Sequence, residues 1–267
     1  MPKTIGIISI KGGVGKTTIA SSLASSLTSN FQKKVLLIDA NYSAPNLGIH
    51  MDILSPESTI QEVLSNKSRM KSAIHNRFGV DVIPGSYMFQ AQFNPLKLRD
   101  KINSIKNDYD FIILDSSPSL NEELLSTILA SDNLFVVSTP DYPTLYCSLR
   151  AAKLAKQRGR PIAGIILNKV RDPSYELSLK EIESALEIPV VAKIPDDKSA
   201  ARSLFLRMPI PIYKKHSKLS KEINRLGAAL ANKKEKRSIL GLIMPNFKRE
   251  QVNRQIMKEN FYTSSFS

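Results

Sequence analysis

Tryptophan is absent from this chain, and cysteine occurs once, at Cys147. A single cysteine excludes an internal disulfide and a cysteine-built metal cage. Cys147 therefore reads as a small buried hydrophobe, which suits a reducing cytoplasm. Uninterrupted apolar runs of about eighteen residues are also missing, so no helix long enough to span a bilayer is expected. The three histidines, His50, His75 and His216, are scattered and form no constellation. The chain opens directly into the apolar run Thr4–Ile10. It shows no basic segment, apolar segment and cleavage site in succession, so no secretory signal is expected.

Acidic residues are the scarcer charge. There are 24 Asp+Glu against 38 Lys+Arg, a net charge of +14. Such an excess attracts polyanions, either nucleic acid or an anionic lipid surface, and says nothing about fold. Most of it lies between Lys193 and Lys258. With 267 residues, 42% of them hydrophobic, the chain can build one large α/β domain with a substantial core.

Apolar strand-like runs alternate with helix-length segments. Strands are expected at Thr4–Ile10, Lys34–Asp39, Val80–Ile83, Phe111–Asp115, Asn133–Ser138, Ile162–Asn168 and Val190–Ile194. Helices are expected from Lys16 to about Ser29, at Ile60–Leu64, Met70–Ile74, Leu96–Ile105, Asn121–Ala130, Tyr142–Arg158, Leu177–Leu186 and Lys218–Ala231. Strands that are apolar throughout and separated by helices predict a single doubly wound, mainly parallel sheet covered on both faces. After Asn232 the composition turns basic, then apolar, then polar. Residues 233–267 are expected to form a tail outside a domain of residues 1–232.

The densest chemical signal is Lys11-Gly12-Gly13-Val14-Gly15-Lys16-Thr17-Thr18, set between a strand and a helix. Glycines at 12, 13 and 15 let backbone N–H groups turn inward around phosphate oxygens. The helix that follows aims its positive dipole end at the same anion. In such a loop Lys16 reaches the β- and γ-phosphates and the Thr17 hydroxyl ligates Mg²⁺. The strict phosphate-loop pattern also has a glycine at position 10, where this chain has Ile10.

The run KGGVGKTT resembles the deviant Walker A motif of the MinD/ParA family of P-loop ATPases. That resemblance implies ATP and Mg²⁺ as ligands and a homodimer formed face to face around two nucleotides. It also implies that Lys11 reaches the neighbouring subunit's ATP, where a second cation would stabilise the transferring phosphoryl group as an arginine finger does. The segment Lys34–Asn46 resembles the family's switch I, with Asp39 as its first carboxylate, a metal and catalytic residue. Pro45-Asn46-Leu47-Gly48 matches a further family stretch. Asn41 departs from the pattern, because the family usually has an aspartate there to place the attacking water. An asparagine can still hydrogen-bond water but carries no charge, so slow hydrolysis is expected.

Phe111–Leu120 (FIILDSSPSL) resembles Walker B and switch II, with Asp115 holding Mg²⁺ through water. Asn168 matches a purine-contacting asparagine. Pro195 and Asp196, in Ile194–Asp197, match the loop that closes over the base. A single cysteine excludes the cluster-sharing iron–sulfur proteins built on this scaffold. A metabolic kinase fits poorly, since Lys11 and the switch segments belong to the dimerising branch.

Two functions follow from the resemblance. The first is a MinD-like switch in spatial positioning, cytoplasmic and peripheral at an anionic membrane surface, with hydrolysis stimulated by a protein partner. The second is a ParA-like partition ATPase that binds DNA non-specifically. The tail favours the first. Lys233-Lys234-Glu235-Lys236-Arg237 precedes Ile239–Met244, and basic residues beside a short apolar helix suit an anionic bilayer. Asn41 keeps open a third reading, a nucleotide-dependent scaffold with little hydrolysis.

Overall fold

In a computed structural model, which describes residues 2–172, 174–234 and 248–263, the strands are β1 (Lys3–Ile8), β2 (Val35–Ala40), β3 (His75–Arg77), β4 (Val80–Ile83), β5 (Phe111–Ser116), β6 (Asn133–Ser138), β7 (Ile162–Val170) and β8 (Val190–Pro195). They form one eight-stranded sheet in the order β3-β4-β2-β5-β1-β6-β7-β8. Every pairing is parallel except that of β3 with β4. The expected doubly wound α/β architecture is present, with the antiparallel edge strand β3 as an addition that the sequence reading lacked.

Each central strand is apolar throughout because it is buried on both faces, and successive side chains serve opposite sides. Val35 and Leu37 of β2, Phe111 and Ile113 of β5, and Ile5 and Ile7 of β1 belong to one core. That core is shared with Ile19, Leu23 and Leu27 of α1 (Lys16–Phe31) and with Ile223, Leu226 and Leu230 of α10 (Lys218–Leu230). The alternate residues Leu36, Ile38, Ile112 and Leu114 pack on the other face. Their partners are Ile60 and Val63 of α3 (Ile60–Leu64) and Leu98 and Ile102 of α4 (Leu98–Asn103). Further along that face, Leu124 and Ile128 of α5 (Glu122–Ala130) and Ala151 and Ala155 of α6 (Tyr142–Gln157) cover Leu134 and Val136 of β6. Ile182 and Leu186 of α7 (Leu179–Leu186) cover Ile165 and Leu167 of β7.

The remaining helices are short: α2 (Leu47–His50), α8 (Lys198–Phe205) and α9 (Ile210–Tyr213). The sequence reading placed no helix at any of them. The segment Met70–Ala73 is 3-10 helix rather than α-helix, and the expected helix at Leu96–Ile105 is a 3-10 turn at Pro95–Lys97 running into α4. β1 ends at Ile8, two residues before the expected end, where the chain leaves the sheet for the glycine loop.

The C-terminal segment differs most from expectation. Residues 249–263, expected outside the domain, form α11 (Arg249–Thr263), which packs along β8 and α10. Met257 and Phe261 are buried in the main core. The Arg254 guanidinium donates to the Val191 carbonyl at 2.7 Å, and Asn253 Nδ2 donates to the Val190 carbonyl at 2.8 Å. Glu183 of α7 accepts from both Arg249 and Asn253. The apolar residues of α11 are sparse, so its pattern reads as polar; two large side chains and a buried arginine dock it. The expected anchor Ile239–Met244, with Glu235, Lys236 and Arg237, lies outside the described residues. Among the described residues no helix is long and apolar enough to cross a membrane.

Candidate functional site

The connection from β1 through α1 to β2 runs one way across the sheet, and that from β6 through α6 to β7 runs the other. β1 and β6 are adjacent, so their carboxyl ends flank the crevice where α/β sheets bind ligands. A cavity of about 440 Å³ lies there, with Lys11, Gly12, Gly13 and Val14 on one wall and Thr139 and Asp141 on the other.

The loop's backbone is built for close approach by an anion. Gly13 and Gly15 have φ of 77° and 96°, a region that favours glycine. A Cβ on Gly15 would stand 2.4 Å from Asn168 Nδ2. Gly15 also caps α1, and no side chain caps that helix. By contrast Asn121, Asp141, Ser178, Asp197 and Ser217 cap α5, α6, α7, α8 and α10 with side-chain acceptors. The N-terminal N–H groups of α1 therefore face the crevice without a side-chain partner.

Three sequence-predicted residues converge beneath the loop. Lys16 is 7% exposed, Asp39 is fully buried and Asp115 is 1% exposed. Asp39 and Asp115 are register partners on β2 and β5, so their side chains emerge side by side. Burial is the main cause of the rise in the Asp115 carboxyl to about 6, against hydrogen bonding from Thr17 and the charge of Lys16. The Asp39 carboxyl is held well above the carboxylate range, by burial first and by the charge of Asp115 second. Backbone N–H groups of Leu47 and Asn41 donate to it at 3.0 and 3.1 Å. Burial likewise lowers Lys16, opposed by Asp115. Asp115 Oδ1 has no hydrogen-bond partner among the described residues. Two crowded carboxylates, an orphaned buried oxygen and the half-buried Thr17 hydroxyl form an oxygen donor set that fits a hard divalent cation. Thr18, beside Thr17, is half-buried in the first turn of α1.

Asn41 is buried at the end of β2. Its Nδ2 donates to the Ala44 carbonyl at 2.5 Å, while its Oδ1 has no partner among the described residues. The side chain is thus half committed to the turn and half available.

Lys11 is exposed. Burial works to raise the Asp141 carboxyl; hydrogen bonds from Thr139 and Thr144, with the Lys11 charge, outweigh it and hold Asp141 below the usual carboxylate range. Lys11 and Asp141, the N-cap of α6, line the same crevice. Asn168 lies buried at the end of β7, where its Nδ2 donates to the Val14 carbonyl at 2.7 Å and supports the loop from behind. Pro195 ends β8. Asp196 is exposed, its N–H donating to the Val170 carbonyl at 2.9 Å and its carboxylate pairing with Arg171 Nε at 2.6 Å.

Sequence reasoning missed Lys169, Arg171 and Asp141. Lys169 adopts φ 56° and donates from Nζ to the Gly13 carbonyl at 2.7 Å. Lys169 lies near the end of β7, Arg171 just beyond it and Asp141 at the cap of α6, and only the meeting of β1, β6 and β7 ends gives these ordinary charged residues a place.

Residues 2–153 match the AAA domain family. The chain is 32% identical over 230 residues to an uncharacterized ATP-binding protein of Methanocaldococcus jannaschii, spanning 85% of this chain and 87% of the relative. The cell division ATPase MinD of Pyrococcus furiosus superposes with a TM-score of 0.81 at 28% identity, covering 87% of this chain and 98% of that one. The septum site-determining protein MinD of Pyrococcus horikoshii, complexed with Mg-ADP, gives 0.81 at 27% identity, over 85% and 95%. With a phosphate loop between β1 and α1, two carboxylates at the ends of β2 and β5 and these relatives across most of its length, the chain belongs to the MinD/ParA family of P-loop ATPases.

Proposed function

We propose that this protein is an ATP-binding and hydrolysing dimerisation switch of the MinD type, acting in spatial positioning at an anionic membrane surface. The observation that carries the reading is the convergence of Lys16, Asp39 and Asp115 under a glycine loop whose helix has no side-chain cap. The backbone N–H groups of Gly12 to Thr18 bind the phosphates, and Lys16 neutralises the β- and γ-oxygens. Thr17, Asp39 and Asp115 would hold Mg²⁺, which would supply positive charge against the phosphates. Asn168, Pro195 and Asp196 form the base end of the site, closed by the Arg171–Asp196 pair.

Asp39 and Asn41 place the attacking water, Asn41 through its unpartnered Oδ1. A neutral acceptor holds water less firmly than a carboxylate, so basal turnover is slow and a protein partner raises it. Lys11, exposed in the crevice, reaches the second subunit's nucleotide in a homodimer formed on ATP. The protein works in the cytoplasm and visits the membrane peripherally.

The test is mass by light scattering. Mg–ATP should convert monomer to dimer, Mg–ADP should reverse it, and Lys16→Ala should bind neither nucleotide nor partner copy. A mass independent of nucleotide refutes the switch. The net charge of +14 supports a second reading, a ParA-like ATPase on non-specific DNA. Sedimentation with plain duplex in ATP, but not with anionic vesicles, would select it.

A further inference from the structure

Helix α8 is inside out. Its buried side chains are Ser199 and Ser203, whereas Leu204, Phe205 and the adjoining Leu206 are 43%, 85% and 46% exposed. Amphipathic helices normally bury the apolar face. Here Ser203 spends its hydroxyl on the Met208 carbonyl, and Ser199 Oγ lies buried without a partner among the described residues. Nothing in the fold gains from facing Leu-Phe-Leu outward, so the arrangement points to an outside contact.

The surroundings define its chemistry. Lys198 and Arg202 on α8, Arg207 just after it, and Lys214 and Lys215 beyond α9 are all exposed. The nearby acids are engaged. Asp52 is shared by Arg77 and by Arg207, whose Nη1 lies 3.4 Å away. Asp197 accepts from Ser199 N at 2.8 Å, and Asp196 pairs with Arg171. The Arg207–Asp52 pair also ties α8 to the segment carrying the exposed Ile49 and Leu54, 40% and 56% open. Arg207, in the left-handed region at φ 53°, turns the chain sharply after α8. Three consecutive apolar residues around a helix end fan over about 200°. They cannot all lie against one partner helix, but all can enter a fluid apolar medium. The cationic rim disfavours a second copy of the same face and favours an anionic one.

We infer that the Leu204-Phe205-Leu206 tip of α8, rimmed by Lys198, Arg202 and Arg207, is an insertion point into an anionic lipid bilayer. It follows β8, at the nucleotide-binding edge of the sheet, so the same edge would carry nucleotide and membrane contact. The inference rests on the membrane reading above and adds a contact made by the folded domain itself, separate from the basic and apolar segment after Lys234.

The chain's lack of tryptophan provides the probe. Phe205→Trp places a single indole at the tip of the full-length protein. With Mg–ATP and phosphatidylglycerol vesicles its emission should shift to the blue and be quenched by doxyl-labelled lipid. Phosphatidylcholine vesicles and duplex DNA should leave it unchanged. Leu204→Ser with Phe205→Ser should weaken vesicle binding by about tenfold or more and leave the ATP-driven dimer intact. If wild type sediments with the anionic vesicles while the indole does not respond, this inference falls and the membrane reading stands. If wild type does not sediment at all, both fall. A blue shift that grows with protein concentration without lipid would make the tip a contact between copies and overturn the proposal.

Discussion

Replacing Asp115 with Asn should make the ligand-free protein more stable and its Mg²⁺–nucleotide complex weaker. Asp115 is buried beside Asp39, and its carboxyl is raised from 3.8 to about 6. Below pH ~4 both folded and unfolded chains hold this proton, and it costs nothing. Between ~4 and ~6 the folded state keeps a proton the unfolded state has released, so stability falls as pH rises through that window. Above it the full cost, about 3 kcal/mol, is present in the apo protein. Asn removes the charge and retains an acceptor for Thr17. About 3 kcal/mol is thus the ceiling of the gain at pH 8, equivalent to a Tm rise of roughly 5–10 °C. The assay is thermal denaturation of wild type and variant from pH 4 to 8, with and without Mg²⁺–ADP. Wild type should lose apo stability across the window and recover it on adding Mg²⁺–ADP, increasingly so as pH rises. The variant should show a shallower slope and lose the Mg²⁺-dependent part. A variant less stable than wild type at pH 8, or one equally stabilised by Mg²⁺–ADP, refutes the account of two carboxylates crowded for a cation.

Lys11→Ala should leave nucleotide affinity within about twofold and abolish the ATP dimer; an unchanged dimer by light scattering defeats the trans role. Asn41→Asp should raise basal turnover on the order of tenfold to a hundredfold, roughly 1.4–2.7 kcal/mol, at unchanged ATP affinity. A flat or lower rate would mean that Asn41 serves the turn through the Ala44 carbonyl. Phe261→Ala should cost about 3–5 kcal/mol in urea denaturation, because Phe261 is 2% exposed and its ring lies under Lys3 Nζ, 4.7 Å from the centroid. A loss below about 1 kcal/mol would detach α11 from the domain. The basic segment should therefore be tested by replacing residues 235–247 with a short neutral linker, since cutting the chain at Lys233 also removes α11.

The alternation of apolar runs and helix-length segments determined the parallel sheet, because strands covered on both faces must be apolar throughout. The glycine spacing before Lys16 determined the phosphate loop, since only glycine tolerates φ near 90° against Asn168. Asp39 and Asp115 were legible as single acids at strand ends. Their adjacency came from β5 inserting between β1 and β2, a long-range pairing that no local pattern encodes. The placing of Lys11 and Asp141 in one crevice, the support of the loop by Asn168 and Lys169, and the pairing of Arg171 with Asp196 likewise depend on β6, β7 and β8 ending beside β1. Helix α8 went unread because periodicity assigns apolar residues to the core, and here they face outward. Helix α11 was read as a tail because its few apolar residues leave a polar average, whereas docking is decided by Met257, Phe261 and a buried Arg254 meeting the exposed edge of β8. Local periodicity and backbone sterics are written residue by residue in the chain; charge crowding, partner choice and the covering of an edge strand arise only when distant segments share a surface.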